Sequence, residues 1–246
     1  MSDAAALWSG ASYERVAELF APVHDQVVET LAIRPGERLL DVGTGTGAVA
    51  IRAAVAGASV VGVDISADQL AKARSAVQEA GVEVELVECD CQEMPLADAE
   101  FDIVCSAFGF VFAPDHARAG SELARVCRPG GRLLVTSWTY DEFSMVGERL
   151  GREYPAGEDS REWANEQHAR ERLPGFDLRF NRGEWAVRQA SADEMWELIR
   201  TSVPPLKLWL DALSDDELEQ AKEAYSAIFP DGELRRDYVQ ILGTRR

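Results

Sequence analysis

The sequence predicts an α/β fold, a doubly wound and mostly parallel sheet with helices on both faces, and three observations carry that expectation. An apolar run, Leu39-Leu40-Asp41-Val42, gives way to Gly43, Gly45 and Gly47 and then to Ala48-Val49-Ala50-Ile51. That is the pattern of a buried strand, a tight turn and a helix N-terminus. A second strand, Ala58 to Asp64, ends in an acid about twenty residues beyond the glycines. Strand and helix patterns keep alternating to Trp138, as crossover connections between parallel strands require.

In chain order, Val16, Leu19, Phe20, Val23, Val27, Val28 and Leu31 stand near helical spacing with Pro22 interrupting. They predict two short amphipathic helices packed on the sheet. Arg34-Pro35-Gly36-Glu37 is a turn into a first strand at 38–42, and 48–56 is a small-residue helix. Ser66-Ala67-Asp68-Gln69 is a capping box opening a helix whose apolar face is Leu70, Ala73 and Val77 and whose end is Gly81. Residues 82–87 alternate as an edge strand does and lead into Cys89-Asp90-Cys91. A buried strand at 101–106 is followed by Phe108, Phe110 and Phe112, which either wall a pocket or pack the core. A helix from Asp115 to Cys127, a breaker at Pro129-Gly130-Gly131 and a fifth strand at 132–138 complete the first half.

The second half is less regular. Residues 141–175 read as an acidic, aromatic loop punctuated by Pro155, Gly157 and Pro174, of the kind that joins a substrate cover. Leu178 to Val187 reads as two short strands split by Asn181-Arg182-Gly183. Capping boxes at Ser191–Glu194 and Ser214–Glu217 start helices, and the apolar run 203–210 between them either lines a cavity or closes the core. Asp237 to Gly243 is a last strand. The expectation is one domain over 1–246, with a cofactor-binding core at 32–140 and a cover drawn from 1–31, 141–175 and 190–230.

With 25 Lys and Arg against 43 Asp and Glu, the net charge of −18 argues against sequence-independent contact with nucleic acid or an anionic membrane. A small-molecule substrate is expected, handled by a monomer or homodimer. Cys89, Cys91, Cys105 and Cys127 form no C-x-x-C pair and lie in apolar segments, so reduced core thiols and no metal site are expected. Residues 1–30 mix Glu14, Arg15, Glu18 and Asp25 among apolar positions, unlike a signal peptide or membrane anchor, and a cytoplasmic location is expected.

The acids decide what the glycine turn holds. Alternate glycines let a ligand approach the backbone, and the opening helix turn offers unpaired N–H groups. Gly43, Gly45 and Ala48 also satisfy the dinucleotide pattern G-x-G-x-x-A. Asp41, however, ends the strand where a pyrophosphate would be repelled by roughly 1 to 4 kcal/mol, and a cationic ligand would not be. The loop has no Lys, which excludes a triphosphate P-loop. Asp64 lies where its carboxylate can accept the hydroxyls of a ribose, and Asp90 is a third acid at a strand end.

These pieces, Leu39 to Gly47, Val60 to Ser66, Asp90 with Met94-Pro95, Phe101-Asp102, Phe112-Ala113-Pro114-Asp115 and Glu122 to Gly131, resemble the class I S-adenosylmethionine-dependent methyltransferases. The likeness is to the small-molecule branch similar to ubiquinone and menaquinone methyltransferases, and it covers roughly residues 34–140. It implies a Rossmann-like, seven-stranded sheet whose last strand is antiparallel and inserted between the fifth and sixth. It implies that Asp41, Gly43, Thr44, Gly45 and Gly47 hold the methionine portion of S-adenosyl-L-methionine. Asp64 would take the ribose hydroxyls, Asp90 with the Cys91 amide the adenine, Ser106 would lie near the methionine end, and Ile65 is a further cofactor-binding candidate. The family often has Cys where Thr44 stands, which matters little to a loop that works through its backbone. The reaction implied is methyl transfer to an O, N or C atom of a small molecule. It requires no protein nucleophile, and His24 and His116 are the candidates for a base. Phe108, Phe110, Trp163, Trp196 and Trp209 are candidate linings for a partly apolar acceptor. Two alternatives stay open: a protein that binds this cofactor without transferring methyl, as a cyclase or regulator, and a nicotinamide-dependent oxidoreductase.

Overall fold

The computed structural model describes residues 8, 14–139, 142–152, 159–229 and 231–246. Seven strands form one sheet: β1 Arg38–Val42, β2 Ser59–Asp64, β3 Val84–Glu88, β4 Phe101–Ala107, β5 Cys127–Trp138, β6 Phe176–Arg188 and β7 Glu233–Arg245. Their order is β3-β2-β1-β4-β5-β7-β6, with β7 antiparallel to both of its neighbours and the other pairings parallel. This is the Rossmann-like arrangement expected. The chain winds outward from β1 in one direction and from β4 in the other, so the carboxyl ends of these two strands part and leave a crevice.

Alternation along each strand sends side chains to both faces. Leu39, Ile103 and Leu134 enter a core with α1 (Glu14–Leu19), α2 (Ala21–Leu31) and α3 (Ala48–Val55). Leu40, Val104 and Leu133 enter the opposite core with Leu123 of α5 (His116–Val126). Pro22 starts α2 instead of breaking a helix, because the first turn needs no intrahelical N–H. α4 (Ala67–Ala80) is capped by Ser66, whose hydroxyl accepts from the Gln69 amide, and ends at Gly81 with φ 66°.

The structure departs from expectation in three places. Pro129-Gly130-Gly131 lies inside β5 as a bulge and not ahead of it: Cys127, expected to end the preceding helix, pairs with Phe101, and the ladder resumes at Arg132 opposite Ile103. Residues 178–187 belong to one unbroken strand, β6, paired to β7 from Phe176↔Arg245 to Arg188↔Glu233. The described part of the segment expected as a loop, 142–152 and 159–175, holds α6 (Glu142–Leu150), a 3₁₀ turn (Ser160–Ala164) and α7 (Glu166–Arg172). Pro155 and Gly157 lie outside the described residues. The apolar run at 203–210 becomes α9 (Pro204–Asp211), which closes the core with α8 (Ala192–Ser202) and α10 (Asp215–Ile228). No helix among the described residues is long and apolar enough to cross a membrane.

Gly183 shows why a turn was expected where none exists. It lies opposite Tyr238, and a Cβ built on it would stand 2.3 Å from the buried phenol ring. The glycine makes room for that ring, which packs edge-on against Phe108 and Trp138. Gly183→Ala is therefore expected to lower stability by about 1–3 kcal/mol, as overpacking does, read as a shift of the urea midpoint at unchanged slope.

Candidate functional site

The crevice between β1 and β4 is a cleft of about 1140 Å³ including its open mouth. Its floor is the turn from β1 to α3. Gly43, Gly45 and Gly47 take φ of 67°, 55° and 83°, a left-handed backbone that any side chain would strain. The Thr44 amide donates to the Val63 carbonyl at 2.9 Å, tying the turn to β2. Gly43 and Gly109 touch backbone to backbone, a Cβ on either meeting the other's Cα at 2.8 Å. A Cβ on Gly45 meets nothing within 4 Å. The turn is thus pinned from behind and bare in front.

Three acids share this cleft: Asp41, Asp64 and Asp90 all line it. Asp41 is buried, accepts from the Thr44 hydroxyl at 2.7 Å and lies 3.8 Å from the Cys105 thiol. Burial pushes its pKa up to about 6, against the lowering effect of the Thr44 bond. Asp64 accepts from the Gly45 amide at 2.8 Å and the Ser66 amide at 2.9 Å, and burial raises its pKa as well. Asp90 accepts from the Gln92 amide at 2.8 Å in a tight turn beyond β3. Burial holds the flanking thiols of Cys89 and Cys91 up at about 11 and about 12, so both stay protonated at neutral pH. One buried and two half-buried carboxylates gathered this way favour a ligand bearing positive charge and hydrogen-bond donors.

Asp41 carries a consequence for stability. Its folded pKa, about 6, lies above the ordinary 3.8. Its contribution is therefore fully present below 3.8 and lost as pH rises through about 6. Asp41→Asn is expected to gain on the parent protein by up to about 3 kcal/mol between acid and neutral pH. Paired urea titrations at the two pH values check this, the titration of His24 being common to both chains.

Of the residues singled out from sequence, Asp41, Gly43, Thr44, Gly45, Asp64, Ile65, Asp90, Cys91, Phe108, Phe110 and His24 line the cleft. Others do not. Gly47 sits behind the turn, where a Cβ would meet the Ala73 methyl at 3.4 Å, and serves as the left-handed cap of α3. Ser106 is buried beneath the rim, donating to the Val42 carbonyl at 2.6 Å and accepting from the Phe110 amide at 2.8 Å, so it braces the cleft and does not line it. His116 points away to His168, which removes it as a base for this cleft. Trp163, Trp196 and Trp209 are core residues: Trp163 packs on Phe110 in one core, and Trp196 packs on Tyr225 and, with Trp209, belongs to the other. Among the described residues, none of 142–152 or 190–229 lines the cleft.

The outer wall comes instead from Trp8, Ala17, Phe20 and His24 together with the aromatic segment after β4. The Phe20 ring lies 5.8 Å from Phe108, and Trp8 lies 5.1 Å from Phe112. Sequence reasoning missed Ala17 and Phe20 as wall residues, although with His24 they stand at helical spacing on one face. His24 is buried, with burial as the main cause of a pKa lowered to about 4 and the nearby Arg52 charge as the second. Its imidazole is neutral at pH 7, and Nδ1 has no hydrogen-bond partner among the described residues.

Residues 40–135 match the family model described as a methyltransferase domain. An uncharacterized protein of Mycobacterium tuberculosis is 41% identical over 139 residues, covering 56% of this chain and 51% of that one. Demethylmenaquinone methyltransferase of Thermus thermophilus is 44% identical over 101 residues, 40% of this chain and 46% of that one. The chain thus spans about half the length of the curated relatives it matches. Among solved structures, the YcgJ protein of Bacillus subtilis aligns with a TM-score of 0.66 at 20% identity over 91% of this chain and 97% of its own. The Asp41 to Pro114 part of the cleft lining lies within the segment 40–135, which is similar to a methyltransferase domain, while Trp8, Ala17, Phe20 and His24 lie outside it.

Proposed function

We propose that the protein transfers a methyl group from S-adenosyl-L-methionine to an O, N or C atom of a small, partly apolar molecule. The observation that carries this reading is the convergence of Asp41, Asp64 and Asp90 on one cleft above a turn bare of side chains. Asp41 and the 43–45 backbone would hold the amino-acid end, Asp64 the ribose hydroxyls, and Asp90 with the Cys91 amide the adenine. The cofactor supplies an electrophilic methyl group on a sulfonium. Each Asp64 oxygen accepts one amide and keeps a second acceptor site, so the carboxylate would take the ribose hydroxyls without releasing Gly45 or Ser66. Asp41, poised with a raised pKa, would ionise more readily beside an ammonium.

The protein's contribution beyond binding is alignment. Holding acceptor and methyl in line can supply about 7–11 kcal/mol of barrier reduction without any protein nucleophile. Phe20, Phe108, Phe112 and Trp8 exclude water and present flat apolar surface to the acceptor. His24, neutral and with no hydrogen-bond partner to Nδ1 among the described residues, would accept one hydrogen bond from the acceptor's reacting group and so orient its lone pair. Its low basicity makes it a weak general base, which leaves positioning as its chief effect. The test is incubation with S-adenosylmethionine and a panel of aromatic and aliphatic hydroxyl- and amine-bearing metabolites, followed by mass spectrometry. A gain of one methyl on a panel member supports the reading. Tight S-adenosylhomocysteine binding with no methylated product across the panel contradicts it and favours a cofactor-binding protein that does not transfer methyl.

A further inference from the structure

Behind the cleft rim, three side chains from separate elements meet: His116 at the start of α5, His168 on α7 and Glu162 in the 3₁₀ turn before it. One nitrogen or oxygen of each lies within 4.8 Å of the other two. His116 Nδ1 and His168 Nε2 stand 2.9 Å apart, and His168 Nδ1 lies 3.5 Å from a Glu162 carboxylate oxygen. His116 is fully buried, His168 nearly so at 13% side-chain exposure, and Glu162 is half exposed. The Trp163 indole, itself buried, walls one side with ring centroids 4.8 Å from His116 and 5.5 Å from His168. The other side opens on a polar depression bearing Asp159, Glu162 and Glu171, where Arg161 is already paired to Asp159 at 2.8 Å. None of these residues lines the cofactor cleft.

We propose that His116, His168 and Glu162 bind one first-row divalent transition-metal ion, with zinc the best match, and that the ion clips residues 159–172 to the cleft rim. Two imidazoles and a carboxylate are the nitrogen-and-oxygen donor set such ions select, with a fourth position left for water. On a tetrahedral zinc with bonds of about 2.0–2.1 Å, two imidazole nitrogens lie about 3.3 Å apart. The rings therefore need to separate only slightly, and the exposed Glu162 is free to swing inward. The acidic depression gives the cation a way in, and the Trp163 wall keeps the inner side dry. The clip would reach the cofactor cleft by two short routes. His116 follows Ala113-Pro114, which line the cleft, and Trp163 packs on Phe110, another lining residue, at 4.8 Å. The proposal stands apart from methyl transfer, because it needs neither cofactor nor acceptor.

The test uses the full-length protein free of any affinity tag and stripped with a chelator. It is titrated calorimetrically with zinc chloride and followed separately with cobalt(II) by visible absorption. The expected result is one equivalent of zinc at micromolar affinity or tighter, with an absorption band of tetrahedral cobalt. His168→Gln should weaken zinc by at least thirtyfold and Glu162→Gln by about tenfold, both chains keeping the parental circular dichroism and S-adenosylhomocysteine affinity. Should His168→Gln fail to fold, the half-exposed Glu162→Gln still decides the matter. Zinc uptake only at millimolar concentrations, or uptake unchanged by both substitutions, would overturn the proposal. The ring contact would then be a plain N–H···N hydrogen bond and the depression a solvated acidic surface.

Discussion

Asp64→Ala is expected to weaken S-adenosylhomocysteine binding by about 10- to 150-fold, the range for one lost hydrogen bond to a charged group at about 1.5–3 kcal/mol. Asp64 holds the Gly45 and Ser66 amides as well as facing the cleft, so a loss of affinity alone does not separate ribose contact from a disturbed turn. An analogue lacking the ribose hydroxyls makes the separation. If the carboxylate acts on the ribose, that analogue binds the parent and the variant with similar affinity. A loss below tenfold for S-adenosylhomocysteine itself, measured by calorimetry, would count against the ribose role.

The second large effect is expected at Gly109. A Cβ there would lie 2.7 Å from the Gly43 carbonyl oxygen and 2.8 Å from the Gly43 Cα, and neither backbone atom can give way without moving the turn. Gly109→Ala should therefore lower stability by about 1–3 kcal/mol and also reduce cofactor affinity, because the displaced Gly43 is part of the floor. Gly45→Ala provides the contrast. Its Cβ meets no protein atom, yet its φ of 55° is left-handed and its front faces the cleft. That variant should lose about 1–2 kcal/mol of stability through backbone strain and a larger share of its cofactor affinity. Urea unfolding and calorimetry on the two variants give the comparison.

What was legible in the chain was what local chemistry dictates. The β1 turn, the acids at the ends of β1 and β2, the Ser66 cap and the Gly81 stop follow from neighbours within a few residues, and each lies where expected. Residues fixed by distant partners were not legible. Gly183 looks like a turn residue until Tyr238 is seen against it, and Ser106 looks like a ligand contact until its hydroxyl is found bridging Val42 and Phe110. Trp163 and Trp196 were open to either reading, because an aromatic ring suits a pocket and a core equally well. His116 and His168 stand 52 positions apart in no recognisable motif, and only the packing of α7 beside α5 brings them together.

On the proposed function, the cleft takes a sulfonium nucleoside and not a dinucleotide. Gly43, Gly45 and Ala48 fit either ligand by spacing, and the buried Asp41 separates the two. The most direct measurement is calorimetric titration of the same protein with S-adenosylhomocysteine and with NADH. One equivalent of S-adenosylhomocysteine should bind, with no detectable heat from NADH. Saturable binding of NADH with none of S-adenosylhomocysteine would contradict the account.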